Sequence, residues 1–264
     1  MIFMDMPDMV EVLGVYISAI DIAGAVQFCF ERLRSGERGY VCVTGVHGVM
    51  EAQSDPEFRR ILNDAFLCLP DGMPTVWIGH LRGYRKMRRV YGPDFMLEVC
   101  EKLNEWRCRH FLYGGNDGVA QQLKNRLCQR FPGLEIVGSY TPPFRQLNES
   151  EEMELIKMIE DCRPDVMWIG LSTPKQERFM AHYVGRLNTT LMIGVGAAFD
   201  IHTGRINDAP SWVKASGLQW LHRLIQEPRR LWKRYLINNP KFVGRVIVQL
   251  MRGSRSVQTG DQER

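Results

Sequence analysis

The chain has 264 residues, 45% of them apolar and 24% charged, close to globular averages, with a formal net charge of +4. That composition excludes a disordered chain, a collagen-like fibre and a small disulfide scaffold, and the length fits one large domain or a domain with an appendage. The charge is uneven. Residues 205–264 hold 12 Lys and Arg against 4 Asp and Glu, and the first 204 hold 22 against 26, so the C-terminal part is predicted to meet something anionic.

Apolar runs of strand length alternate with segments of helical period. Val10–Ile17 reads as a strand. Ile22–Arg34 reads as an amphipathic helix, with Asp21 placed to cap it and Gly36 to stop it. Tyr40–Thr44 is a short buried strand, followed by helical stretches near His47–Gln53 and Asp55–Ala65. Phe66–Leu69 is a strand ending at Pro70-Asp71-Gly72. Pro93–Arg107 is a helix, His110–Tyr113 a strand that breaks at Gly114-Gly115, and Asp117–Phe131 a helix. Leu134–Ser139, Asp165–Leu171 and Thr190–Val195 are strands, separated by helices over Asn148–Asp161 and Lys175–Leu187. This order predicts an α/β, Rossmann-like parallel sheet with helices on both faces over residues 1–203. Residues 204–264 read as a basic, aromatic helical appendage broken by Pro210, Pro228 and Pro240, with a polar, frayed run from Gly253 to Arg264.

The seven cysteines are odd in number and form no C-x-x-C, so they read as reduced thiols of a cytosolic protein. The six histidines are scattered, with no H-E-x-x-H or H-x-x-x-H. Met1–Met9 carries no basic residue, so no signal peptide is expected. The most apolar stretch, Val12–Phe30, is interrupted by Asp21 and Gln27, so no spanning helix is expected either.

In parallel sheets ligands bind beyond the carboxyl ends of the strands, which singles out the loops Thr44–His47, Pro70–Met73, Gly114–Gly118, Leu171–Gln176 and Gly196–Asp200. Asp71, directly after a strand, is placed to act as a general base, although Asp-Gly is also plain turn chemistry. Tyr113-Gly-Gly-Asn-Asp-Gly118 lets backbone approach a diphosphate at a helix start or simply makes a tight turn, and its spacing is not the dinucleotide fingerprint. In Gly170-Leu-Ser-Thr-Pro-Lys-Gln-Glu177, Thr173 is placed as cap and Pro174 at the first helical position, with Lys175 and Gln176 projecting from the first turn. Gly194-Val-Gly-Ala-Ala-Phe-Asp200 ends in a carboxylate suited to a ribose hydroxyl, or serves helix–sheet packing alone. Arg85-Lys86-Met87-Arg88-Arg89 is either a solvated basic face or a phosphate-neutralising one. Asp71, Asp94, Asp117 and Asp200 are the carboxylates near these loops, and none forms a D-x-D pair.

Together these segments resemble the WecG/TagA/CpsF family of glycosyltransferases (glycosyltransferase family 26) over about Gly39 to Phe242. The run Ala209-Pro…Trp212…Gly217-Leu-Gln-Trp220…Arg223-Leu…Glu227-Pro-Arg-Arg…Arg234-Tyr235 completes the match. The resemblance implies an inverting, metal-independent transfer of a sugar, N-acetylmannosamine-type or another hexose. The donor is a UDP-sugar and the acceptor a polyprenyl-diphosphate-linked saccharide in surface polysaccharide assembly. It implies Asp71 as base, and Thr44 and Gln176 to orient sugar or acceptor. Arg89, Gly114, Gly115, Arg230 and Arg234 would stabilise the leaving diphosphate, while Tyr113 and Asp200 would contact the nucleoside. No metal or cofactor is expected. The appendage would dock on an anionic membrane surface, which places the protein in the cytoplasm, peripheral at the inner face of the membrane. Homo-oligomerisation stays open, and no nucleic acid is expected as partner. One departure is local: the family commonly has Thr-x-Asn after the second strand, and here Thr44-Gly-Val-His47 puts Val46 there, leaving His47 to supply a polar contact or cap the helix. Two other readings compete, a nicotinamide-dependent oxidoreductase and a non-enzymatic module binding nucleic acid through the aromatic, basic tail.

Overall fold

Strands buried on both faces read as unbroken apolar runs, and that is how the central sheet forms. In the computed structural model, which describes residues 6–253, the strands are β1 (Met9–Val12), β2 (Val15–Ser18), β3 (Gly39–Thr44), β4 (Leu67–Pro70), β5 (Arg109–Gly114), β6 (Glu135–Tyr140), β7 (Val166–Gly170) and β8 (Leu191–Gly194). Every residue of β4 and β8 is buried, as are Val166 to Ile169 of β7. Six strands make a parallel sheet in the order β4-β3-β8-β7-β5-β6, with Tyr40 opposite Met192 and Met167 opposite Phe111. The fold class is therefore as the alternation predicts.

The helices are α1 (Ile22–Ser35), α2 (Val46–Glu51), α3 (Pro56–Asn63), α4 (Met73–Leu81), α5 (Gly92–Asn104), α6 (Val119–Arg130), α7 (Glu149–Cys162), α8 (Lys175–Tyr183) and α9 (Ala198–His202). Then come α10 (Ser211–Ala215), α11 (Gln219–Gln226), α12 (Pro228–Trp232), a π-helical turn over Lys233–Ile237, and α13 (Asn238–Met251). Caps mark several starts: Asp55 accepts from Phe58 N–H at 2.9 Å, and Asn148 with Glu151 forms a reciprocal capping box. The polar run expected to fray past Gly253 lies outside the described residues.

Three segments differ from the sequence reading. Val10–Ile17 is a two-stranded antiparallel hairpin rather than one strand, because Leu13 and Gly14 both take positive φ (54° and 81°) and close a two-residue turn. Helix α4 was not predicted, since Gly, Pro, Thr, Val and Ile give its sequence poor helical propensity. Pro74 in the first turn suits a helix start, and burial of Thr75, Val76, Ile78 and Gly79 supplies the rest. Helix α8 ends at Tyr183 rather than Leu187, where Val184 turns extended (ψ 126°) and Gly185 takes φ 78°.

The described chain groups into two units, each built from discontinuous stretches. One comprises Ile22–Cys42 and Gly92–Arg205; the other comprises Val43–Tyr91 and the described residues 206–253 together with the hairpin. In the first unit α1 packs on α5, and α9 on α5 and α6. In the second, α3 packs on β2, α4 on β1 and β4, and α13 on α2. The C-terminal helices share a unit with the Asp71 region. Among the described residues no helix is long and apolar enough to cross a membrane.

Candidate active site

In the second unit the strand ends of β3 and β4 lie side by side, with Asp71 N–H donating to Thr44 C=O at 3.1 Å. The turn between β3 and α2 lies beside the Asp71 carboxylate: a Cβ at Gly45 would stand 3.8 Å from Asp71 Oδ2, in ordinary contact. The Thr44 hydroxyl is buried with no hydrogen-bond partner among the described residues. A buried hydroxyl without a partner costs free energy in the empty protein, which a ligand group can recover.

Of the run Arg85 to Arg89, Arg85, Lys86 and Arg88 are exposed, whereas Arg89 is partly buried. Arg89 donates through Nε to the Asp71 carbonyl and through its terminal nitrogen to Gln219 Oε1. Its guanidinium carbon lies 4.3 Å from the centre of the Tyr91 ring. Tyr91 in turn donates to Asp208 Oδ1 at 3.0 Å, and Lys214 Nζ pairs with Asp208 at 2.5 Å. Burial, reinforced by the nearby Asp208 and Asp71 carboxylates, pushes the Tyr91 phenol above its ordinary range and keeps it a neutral donor.

The appendage arginines divide. Arg230 is 60% exposed and pairs with Glu227 at 3.0 Å, and Arg223 reaches the same carboxylate at 2.8 Å. Arg234 is turned inward, and its Nε, like that of Arg223, is buried with no partner among the described residues. Burial lowers the Arg234 pKa; Tyr235 and Asp71 favour its charge, while Arg223 and Arg230 oppose it. Three clustered guanidiniums with two buried, unpaired Nε donors suit an anion better than an empty pocket. His47, in α2, lies 3.5 Å from Glu51 rather than capping the helix, whose N-cap is Gly45. Val46 opens that helix at the position of the family Asn.

The first unit carries the remaining predicted residues. Gly114 takes φ 122° and abuts Gly170, where any Cβ would fall 2.6 Å from the Gly170 oxygen. Gly115 takes φ 75° and donates its N–H to Gly170 C=O at 3.0 Å. These glycines are therefore fixed by strand-to-strand approach, and the Gly115 N–H is already used. Tyr113 is buried, 2% exposed, with its ring stacked on Phe179 and Tyr140. Gln176 does not project outward from its helix. It is buried, accepts from Gly196 N–H at 3.0 Å and donates to Glu177 at 3.0 Å, while Thr173 also donates to Glu177. Thr173 makes no cap; the Thr173–Pro174 peptide is cis, and Pro174 itself occupies the N-cap. Asp200 lies partly exposed in α9.

Sequence reasoning gave no role to Tyr91, Asp208, Lys214, Gln219 or Glu177. Gln219 and Glu177 fell inside the quoted motifs, but only packing shows that Gln219 fixes Arg89 and Asp208 fixes Tyr91. Among the described residues no three or more His, Cys, Asp or Glu side chains are grouped to hold a metal ion.

The sequence profile of the Glycosyl transferase WecG/TagA/CpsF family matches residues 10–256. The chain belongs to this family. It is 30% identical over 217 residues to the N-acetylglucosaminyldiphosphoundecaprenol N-acetyl-beta-D-mannosaminyltransferase of Bacillus spizizenii, covering 81% of this chain and 82% of that protein. It is also 30% identical over 191 residues to the protein of the same name from Bacillus subtilis, covering 72% of each. As a member of the WecG/TagA/CpsF family the chain is a glycosyltransferase. Family membership decides against both the oxidoreductase and the nucleic-acid readings.

Proposed function

We propose that this chain moves an N-acetylmannosamine-type sugar from a UDP-sugar to a lipid-diphosphate-linked saccharide, inverting the anomeric centre without a divalent metal. The names of the Bacillus relatives support the sugar and the acceptor. The observation that carries the mechanism is the grouping of Asp71 with an unpartnered Thr44 hydroxyl, Arg89 and the inward Arg234. Asp71 takes the proton of the acceptor hydroxyl, and the freed oxygen bonds to the anomeric carbon. The bond from that carbon to the UDP oxygen breaks on the opposite face, and UDP leaves with the electron pair. Arg89 and Arg234, with Arg230 at the rim, balance the charge that develops on the diphosphate. Thr44 orients the sugar or acceptor. In the first unit Gln176, held by Gly196 and Glu177, shapes the Gly194–Asp200 loop. The C-terminal helices dock on an anionic membrane surface, with Trp212, Ile225 and Trp232 exposed among basic residues.

The test is Asp71→Asn, assayed with a UDP-sugar and a lipid-diphosphate disaccharide precursor. Losing a general base costs about 10²–10⁴-fold in rate, so kcat should collapse while UDP still raises the melting temperature. The wild-type assay should run unchanged in excess EDTA. Near wild-type turnover by Asp71→Asn, or an EDTA loss restored by Mg²⁺ or Mn²⁺, would refute the corresponding part.

A further inference from the structure

Helix α4 buries one face and leaves another bare. Thr75, Val76, Ile78 and Gly79 are buried, and the helix packs on β1 and β4. Trp77 and Leu81, one turn apart, are 49% and 72% exposed. Single exposed apolar residues are ordinary; a Trp–Leu pair opening into a basic loop is not. Arg85, Lys86 and Arg88 are exposed just beyond it, and residues 72–92 contain no Asp or Glu. The bare face does not end with α4. Gly217 abuts the Trp77 ring, where a Cβ would sit 3.1 Å away, and the exposed Leu218 and Leu221 follow directly.

We propose that α4 and its loop form a membrane-contacting element of their own, continuous at Gly217 with the exposed face of the C-terminal helices. Trp77 and Leu81 enter the boundary of an anionic leaflet, and Arg85, Lys86 and Arg88 meet its headgroup phosphates. An amphipathic tip with an indole at the interface and cations at its border matches such a surface. A second copy of the chain fits less well, because a twofold contact would set this basic border against itself. The placement also has a use. Helix α4 starts two residues after Asp71, and at 1.5 Å rise per residue Trp77 lies only about 10 Å beyond it. Seating α4 at the leaflet therefore holds the proposed base close to where a lipid-linked acceptor presents its headgroup. This deepens the lipid-acceptor reading, but its main measurement does not depend on turnover.

The experiment uses the full chain and vesicles of equimolar phosphatidylethanolamine and phosphatidylglycerol, with pure phosphatidylcholine as the neutral comparison. Two variants are compared with wild type by sedimentation: Trp77→Ser/Leu81→Ser and Arg85→Glu/Lys86→Glu. Each should lower partitioning onto the anionic vesicles at least about tenfold, since every basic residue near such a leaflet contributes severalfold. Neutral vesicles should bind all three poorly. Melting temperature, and transfer to a short-chain, water-soluble acceptor, should match wild type, while transfer to vesicle-embedded acceptor falls. The charge variant alters only exposed positions, so it decides the matter even if the apolar variant misfolds. Wild-type partitioning by the charge variant overturns the proposal. So does equal binding to neutral vesicles, or a Trp77→Ser/Leu81→Ser variant that loses only self-association or a protein partner. If no acceptor is used by any form, the functional reading fails, and the vesicle result still judges this surface.

Discussion

His110 shows how one buried residue links sequence to stability. It sits in β5, fully buried, and its Nδ1 accepts from Trp168 Nε1 at 3.0 Å. The proton of the neutral ring must therefore be on Nε2, which is buried with no partner among the described residues. Burial pushes its pKa down from 6.5 to about 4. Between those values acid protonates only the unfolded chain, so stability present above pH 6.5 is lost as pH falls toward 4, by about 3 kcal/mol in all. His110→Gln keeps an acceptor for Trp168 and cannot titrate. Denaturant titrations from pH 7 to 4 should show a flatter profile for this variant than for wild type, and an identical slope would show that His110 does not set it. Sequence reading saw His110 only as the start of a strand. Asp71 could be singled out because a position at a strand end is local information. Whether the Tyr113 ring lies inside or in a cleft is not local; the packing of Phe179 and Tyr140 on it decides that.

At the scale of elements, what could be read was what the local sequence decides. Strong caps and unbroken apolar runs placed α3, α7 and the sheet strands to within a few residues. What escaped was set by tertiary contact. The hairpin turn needed Leu13 at positive φ, an unfavourable choice for that residue, and side chains from afar hold it. Asn63 donates to Gly14 C=O and Gln53 to Leu13 C=O, while Gln249 accepts from Leu13 N–H. Helix α4 likewise depends on burial more than propensity. A legible element gives a clean prediction. Asn148→Ala removes half of the α7 capping box, in which Asn148 Oδ1 accepts from Glu151 N–H and Glu151 returns a bond to Asn148 N–H. It should cost about 0.5–2 kcal/mol. The melting temperature should fall by a few degrees with kcat unchanged, because α7 carries no residue of the proposed chemistry. A drop in kcat without a stability change would contradict this placement.

Across the whole molecule, the sequence suggests a body over 1–203 followed by a basic appendage. The groupings of the folded chain say what that appendage does for stability. Residues from Ile206 onward share a unit with Val43–Tyr91 and the hairpin. Val213, Leu231, Phe242 and Val246 are buried there, α13 packs on α2, and Gln249 bonds both Glu11 and the hairpin turn. Each such apolar side chain stabilises by roughly 1.5–3 kcal/mol, and four of them approach the net stability of an ordinary domain, about 5–15 kcal/mol. Charge alone marked this segment as a surface-seeking tail, because basic residues and apolar residues alternate in it; the pattern does not say which apolar residues face inward. Phe242 and Val246 face inward, and Val243 and Ile247 face out. Ending the chain after Arg205 should therefore cost stability as well as Arg234, whose Nε is buried. The truncated protein should show faster amide exchange through β1, β2, α2 and α3, a broadened thermal transition and a tendency to aggregate. Hydrogen exchange on this truncation is the deciding measurement. Unchanged protection in the hairpin and α2 after loss of residues 206–264 would mean that the C-terminal helices rest on the second unit without holding it together.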